Sequence, residues 1–205
     1  DLVRSRGLGD VYKRQPMDIT ETVEVSTRSE WRAWLALHHE TKREIWLVAD
    51  LREKAQGLSY LDAVEEALCF GWVDGLAKKY DATRSAQRFT PRRPKSHWTE
   101  LNKERARRLQ TLGLMTAAGE RVLPSLSTEG FTIPEDIRAA LESEPGALET
   151  FRSFPPLYQR VRVGYVDEMR KQPAELAARL ANLVAKTKAG TMFGNWDDRG
   201  MRRSR

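Results

Sequence analysis

The sequence predicts an α+β fold: a small antiparallel β-sheet flanked by helices, followed by an all-helical C-terminal subdomain. Three observations predict it. Short β-rich runs fall in the first half, at 44–50, 72–80 and 84–92. From Ser96 onward the apolar residues recur at helical spacing. Capping residues and glycines punctuate the chain at intervals that suit ordinary helices.

The elements follow in order. Thr27 and Glu30 have the spacing of a capping box and open a helix to residue 38, with Trp31, Trp34, Leu35 and His38 on one face. EIWLVAD (44–50) reads as a strand. Ser59 with Asp62 caps a helix through YLDAVEEALCF, whose inner face is Leu61, Val64 and Leu68, and Gly71 ends it. WVDGLAKKY (72–80) and RSAQRFTPR (84–92) predict a hairpin. Ser96 is the expected cap of a helix to Leu112, stopped by Gly113. Further helices are expected from Thr116 and over 134–141, 145–151, 156–171 and 173–188. The chain thus divides into a leader (1–16), an α+β core (17–125), a helical module (126–190) and a polar tail (191–205). The leader has no helical or strand period, precedes Met17, and reads as a junction foreign to the fold.

Composition narrows the function classes. With 205 residues, 40% apolar and six Trp, the chain can bury a core, which excludes wholesale disorder. No apolar run approaches the roughly 18 residues of a membrane span. A lone Cys69 cannot form an internal disulfide, and no signal-peptide layout follows Met17, so a cytoplasmic location is expected. The net charge of +6 is uneven. Residues 84–108 hold nine Lys and Arg against Glu100 and Glu104, a local +7, whereas the rest of 16–196 is acidic.

The densest chemistry lies in FGWVDG (70–75), RFTPRRPKSHW (88–98) and the helix they feed. Pro91 and Pro94 predict a stiff extended rod that presents Arg92, Arg93 and Lys95 between Phe89 and Trp98. Guanidinium forks beside a helix N-terminus are what phosphate or carboxylate recognition needs. The candidate anion-binding residues are Trp72, Asp74, Arg88, Phe89, Arg92, Arg93, Lys95, Ser96, Trp98, Asn102 and Arg105. The plainer reading is a solvated basic loop held down by two aromatics. Arg105 is the sharpest oddity: on a helical wheel from Trp98 it falls at about 340°, inside the stripe of Leu101, Leu109 and Leu112. A buried guanidinium needs a partner, and Asp74, then Asp81, are the candidates, whether to stabilise the fold or to orient a ligand. Cys69 reads as a small buried apolar side chain. The histidines and the lone Cys lack zinc spacing, and no phosphate-loop, nucleophile-elbow or dinucleotide fingerprint occurs, so no metal or cofactor is expected.

W-L-A-L-H-H (34–39), E-I-W-L-V (44–48), S-Y-L-D-A-V-E-E-A-L-C-F-G-W-V-D-G (59–75), R-F-T-P-R-R-P-K-S-H-W-T-E-L-N (88–102) and G-L-M-T-A-A-G (113–119), with D-I-R-A-A-L-E-S-E-P-G-A-L-E-T-F-R-S-F-P-P-L-Y-Q-R (136–160), resemble the YdeI/OmpD-associated, or bacteriocin-protection, family over about residues 27–188. Met169-Arg-Lys-Gln-Pro-Ala-Glu stands where that family has an A-K-x-x-E-T-R run. The resemblance implies a link to tolerance of bacteriocins and cationic antimicrobial peptides. A patch of +7 repels a cationic peptide, and without an export signal direct contact with a porin is not expected. The favoured reading is a soluble binding or stress-tolerance protein whose basic-aromatic face takes an anionic small molecule or protein partner. The alternatives are a nucleic-acid-binding protein that stacks bases on Phe89 and Trp98, and an enzyme with Asp74 and His39 as acid and base.

Overall fold

The computed structural model describes residues 18–50 and 57–198; the leader and the last seven residues of the tail lie outside them. The fold is α+β. Strand β1 (Thr22–Glu24), helix α1 (Arg28–His38) and strand β2 (Ile45–Ala49) form a crossover unit. They are followed by α2 (Tyr60–Cys69) and the hairpin β3 (Trp72–Lys79) and β4 (Ser85–Pro91). The sheet order is β1-β2-β4-β3. It is mixed rather than purely antiparallel, because α1 returns the chain to the end where β1 began and β1 therefore pairs parallel to β2. Three residues of half-exposed TVE carry no periodic signal, so the sequence conceals this strand.

The capping box at Thr27 and Glu30 is present in full, and Ser59 caps α2 by accepting from the Asp62 N–H. β2 is buried on both faces. Ile45 and Leu47 join Trp31, Leu35, Leu68, Trp72 and Phe89 in the main core, and Trp46 and Val48 meet Ala86 on the other side. In β3 a bulge between Asp74 and Ala77 inserts one residue opposite β4, and Gln87 Nε2 donates to the Gly75 carbonyl there at 2.8 Å.

After β4 come α3 (Glu100–Thr111), α4 (Ala117–Glu120), α5 (Glu135–Glu142), α6 (Ala147–Ser153), α7 (Pro156–Asp167) and α8 (Pro173–Lys188). α3 begins at a Thr99 cap, not at Ser96. A turn intervenes, in which Lys95 takes a left-handed φ of 60° and the Ser96 N–H donates to the Arg93 carbonyl. α7 stops at Asp167, before the expected residue 171. A second core gathers Ile137, Leu141, Leu148, Phe151, Tyr158, Val166 and Leu183. The tail is not simply polar: Trp196 is 5% exposed and belongs to that core. Helix α3 links the two cores, burying Ala106 and Leu109 in the first and packing Leu101 against the second.

Candidate functional site

The eleven sequence-derived residues separate into three groups. Trp72, Phe89 and Trp98 are core residues; Trp72 Nε1 donates to the His39 carbonyl at 3.2 Å, and Phe89 packs on Trp31 with ring centroids 5.3 Å apart. Phe89 and Trp98 thus offer no stacking surface to a base, because inward-facing strand and loop positions close the core with them. Arg92 is also buried, with its guanidinium 3.8 Å from the Trp98 ring centroid and Nη1 donating to the His97 carbonyl at 3.3 Å. Burial pulls Arg92 down to about 10, and the charge of Asp74 opposes the fall. The expected rod is therefore a folded turn, and only Arg93 and Lys95 of its three cations stand exposed.

The +7 patch dissolves in the same way. Arg84 pairs with Asp81 and Glu24, Arg88 with Glu44, Lys103 with Glu100, Arg107 with Glu104, and Arg108 with Glu65. Most of these carboxylates lie outside the basic window, so a charge count along the chain misses them. Glu65 and Glu66, both buried, also bind Arg28, and Glu66 takes Arg32 at 2.6 Å.

In the third group, Arg105 lines a cavity. Arg105 is 8% exposed, as its place on the wheel predicts, but its carboxylate is Asp198, with Asn102 Oδ1 accepting from Nη1 at 2.7 Å. Neither candidate partner is used. Asp74 accepts from the Tyr60 hydroxyl at 2.6 Å, and Asp81 caps its own turn and pairs with Arg84. Burial, then Asp74, holds the Tyr60 hydroxyl protonated well above the usual phenol range; Arg105 and Asp198 act on it with opposite signs. Tyr60, Arg105 and Asp198 line a cavity of about 300 Å³ together with Ser59, Leu61, Asn195 and Asp197. Ser59, Tyr60 and Leu61 are the cap and first two residues of α2, so the positive end of a ten-residue helix faces the same space as the guanidinium. Tyr60 and the tail residues escaped the sequence reading. Trp196 beside two acids in an otherwise basic tail was the available signal.

His39 and Asp74 share no partner: His39 Nδ1 sits 2.9 Å from the Leu35 carbonyl and its ring lies against Phe70. Ser96 Oγ is buried with no hydrogen-bond partner. Among the described residues no group of three or more His, Cys, Asp or Glu could hold a metal ion, and no helix is long and apolar enough to cross a membrane.

Fold and site together define an α+β unit that packs onto a helical module and shares with its tail a cavity holding a buried arginine. Residues 130–190 match the family described as bacteriocin-protection, YdeI or OmpD-associated. Residues 23–122 match a different model, a domain of unknown function (DUF8412). The F-G-W-V-D and F-T-P-R motifs therefore lie under the second model, not under the family they resembled. No curated protein and no solved structure matches the chain.

Proposed function

We propose that the chain is a binding protein for a small anion, seated at Arg105 and the start of α2, and that its part in bacteriocin tolerance runs through that ligand. One observation carries the reading: a nine-tenths buried guanidinium and a helix N-terminus line one cavity, 300 Å³ in volume. A buried arginine costs several kcal/mol unless an anion meets it; Asp198 meets Arg105 here, and a ligand anion would have to reach the same guanidinium beside Asp197. The anionic character also explains why the protein need not capture the cationic peptide itself. The division into a 17–125 core and a 126–190 module belongs to this proposal, with the ligand held by the core and the tail.

The test is a thermal-shift and calorimetric titration of the full chain with inorganic phosphate, succinate and a nucleoside monophosphate. An anion at 100 times its dissociation constant adds about 2.7 kcal/mol, a shift of several degrees. Arg105→Ala removes the shift, and Arg93→Ala, on the exposed turn, leaves it. Binding that survives Arg105→Ala and disappears with Arg93→Ala places the site on the turn and contradicts the proposal.

A further inference from the structure

The sheet ends in a strand that is paired on one side. β3 is outermost in the order β1-β2-β4-β3, and with eight residues it is the longer edge, β1 having three. Its middle is open: Gly75, Leu76 and Ala77 are exposed, Leu76 by 51%, and so are Lys79 and Tyr80 beyond them. Trp72 is buried and closes the near end. An exposed row of backbone N–H and C=O groups is a template for a further strand.

The direction of those groups follows from the two ends of the hairpin. The Arg92 N–H donates to the Gly71 carbonyl and the Tyr80 N–H to the Arg84 carbonyl, so Gly71, Val73, Lys78 and Tyr80 face β4. Trp72 and Asp74 before the bulge, and Ala77 and Lys79 after it, therefore point their backbone groups outward. The extra residue of the bulge makes this outward set symmetric about the Gly75–Leu76 bond. The side chains obey the same symmetry. Asp74 lies opposite Phe89, and Ala77 opposite Gln87 and Leu47, on the face of the main core. Lys78 lies opposite Ala86 on the other face, with Val73.

We propose that β3 is a self-association surface: a second copy of this chain pairs its β3 antiparallel to the first, with Asp74 opposite Ala77 across a two-fold axis at the Gly75–Leu76 bond. In that register outward backbone groups meet outward groups, and side chains meet others on their own face. Charge selects the second copy in this direction. The strand carries its acid at Asp74 and lysines at 78 and 79, so antiparallel pairing sets each Lys79 diagonally across from the other copy's Asp74, within reach of a long side chain. Parallel pairing sets lysine on lysine. Lys79 makes no ion pair among the described residues, and Asp74 takes the Tyr60 hydroxyl on Oδ2, leaving Oδ1 for the second copy. The two Leu76 side chains flank the axis and cover each other. The contact is short, so the dimer is weak, with a dissociation constant on the order of 100 µM.

Sedimentation equilibrium of the full chain, from about 10 µM to about 1 mM, tests the proposal. Wild type passes from monomer towards dimer over that range. Ala77→Pro removes an outward N–H without removing a bond to β4, and stays monomeric. Asp74→Lys and Lys79→Asp each weaken association about tenfold, and an equimolar mixture of the two restores it, because each copy then supplies the charge that the other lacks. The mixture also guards against misfolding, since two misfolded chains do not rescue each other. A wild type that stays monomeric at the highest concentration overturns the proposal. So does a dimer indifferent to Ala77→Pro, or a mixture that associates no more tightly than its components.

Discussion

Cys69 shows what burial does to one residue. It is wholly inaccessible at the end of α2, and burial, reinforced by the Glu66 carboxylate and opposed by Arg32, pushes its thiol from 9.0 up to about 11. The folded thiol keeps its proton where the unfolded one has lost it, so the stabilisation is complete below pH 9 and is lost as the pH rises towards 11. Urea unfolding at about pH 8 and about pH 10.5 is expected to show Cys69→Ala losing about 2 kcal/mol less than wild type over that interval. An equal loss in both proteins would put the thiol in contact with water. Arg105 and Asp198 are the second case at this scale. A double-mutant cycle is expected to give a coupling of about 1–3 kcal/mol, larger than that between Arg105 and Asp74. The burial of Arg105 was legible because helical periodicity places one cation among leucines. Its partner was not, because a contact across 93 residues leaves no local pattern.

Among the elements, α4 approaches the end of α2 closely. Thr116 Oγ1 donates to the Cys69 carbonyl at 2.7 Å, and a Cβ on Gly119 would come within 2.2 Å of that same oxygen. Backbone cannot yield as a side-chain tip can, so Gly119→Ala is expected to cost about 2–4 kcal/mol in denaturant unfolding. Gly113, left-handed but facing open space, is the control; Gly113→Ala is expected to cost only about 1 kcal/mol. Helix α2 also carries the buried acids: Glu66 accepts from Arg28 at 2.5 Å and from Arg32 at 2.6 Å. Glu66→Gln is expected to cost about 1–2 kcal/mol by removing the carboxylate from Arg32, while Arg28 keeps Asp62 and Glu65, read by the same unfolding assay. Helix starts marked by Thr27 and Ser59 were legible, since capping is a local signal. The start of α3 was displaced to Thr99 because the turn at Lys95 breaks the chain's path first. β1 was illegible because it is defined by its neighbour β2 and not by its own residues.

For the whole molecule, the question is how two cores behave as one. Helix α3 touches both, and Arg160 of α7 lies 3.7 Å from Glu100 and 3.4 Å from Glu104. The tail adds a second tie, with Trp196 in one core and Asp198 on an arginine that belongs to the other. Trp196→Ala is expected to cost about 3 kcal/mol and to weaken the Asp198–Arg105 contact with it, seen as a lower urea midpoint. The class of the fold was legible because the strands fall in the first half of the chain and the described second half is helical. The basic patch was misleading, because folding brings carboxylates from β1, α2 and the residue before β2 onto cations that look unpaired in sequence. Of that patch, Arg105 is a buried cation that lines a cavity. The measurement that tests this most directly is an amide-resolved NMR titration of the full chain with inorganic phosphate and with propionate. Saturable shifts at Tyr60, Leu61, Asn102 and Asn195, absent in Arg105→Ala, are the predicted result; shifts centred on Arg93 and Lys95 and indifferent to Arg105 would contradict it.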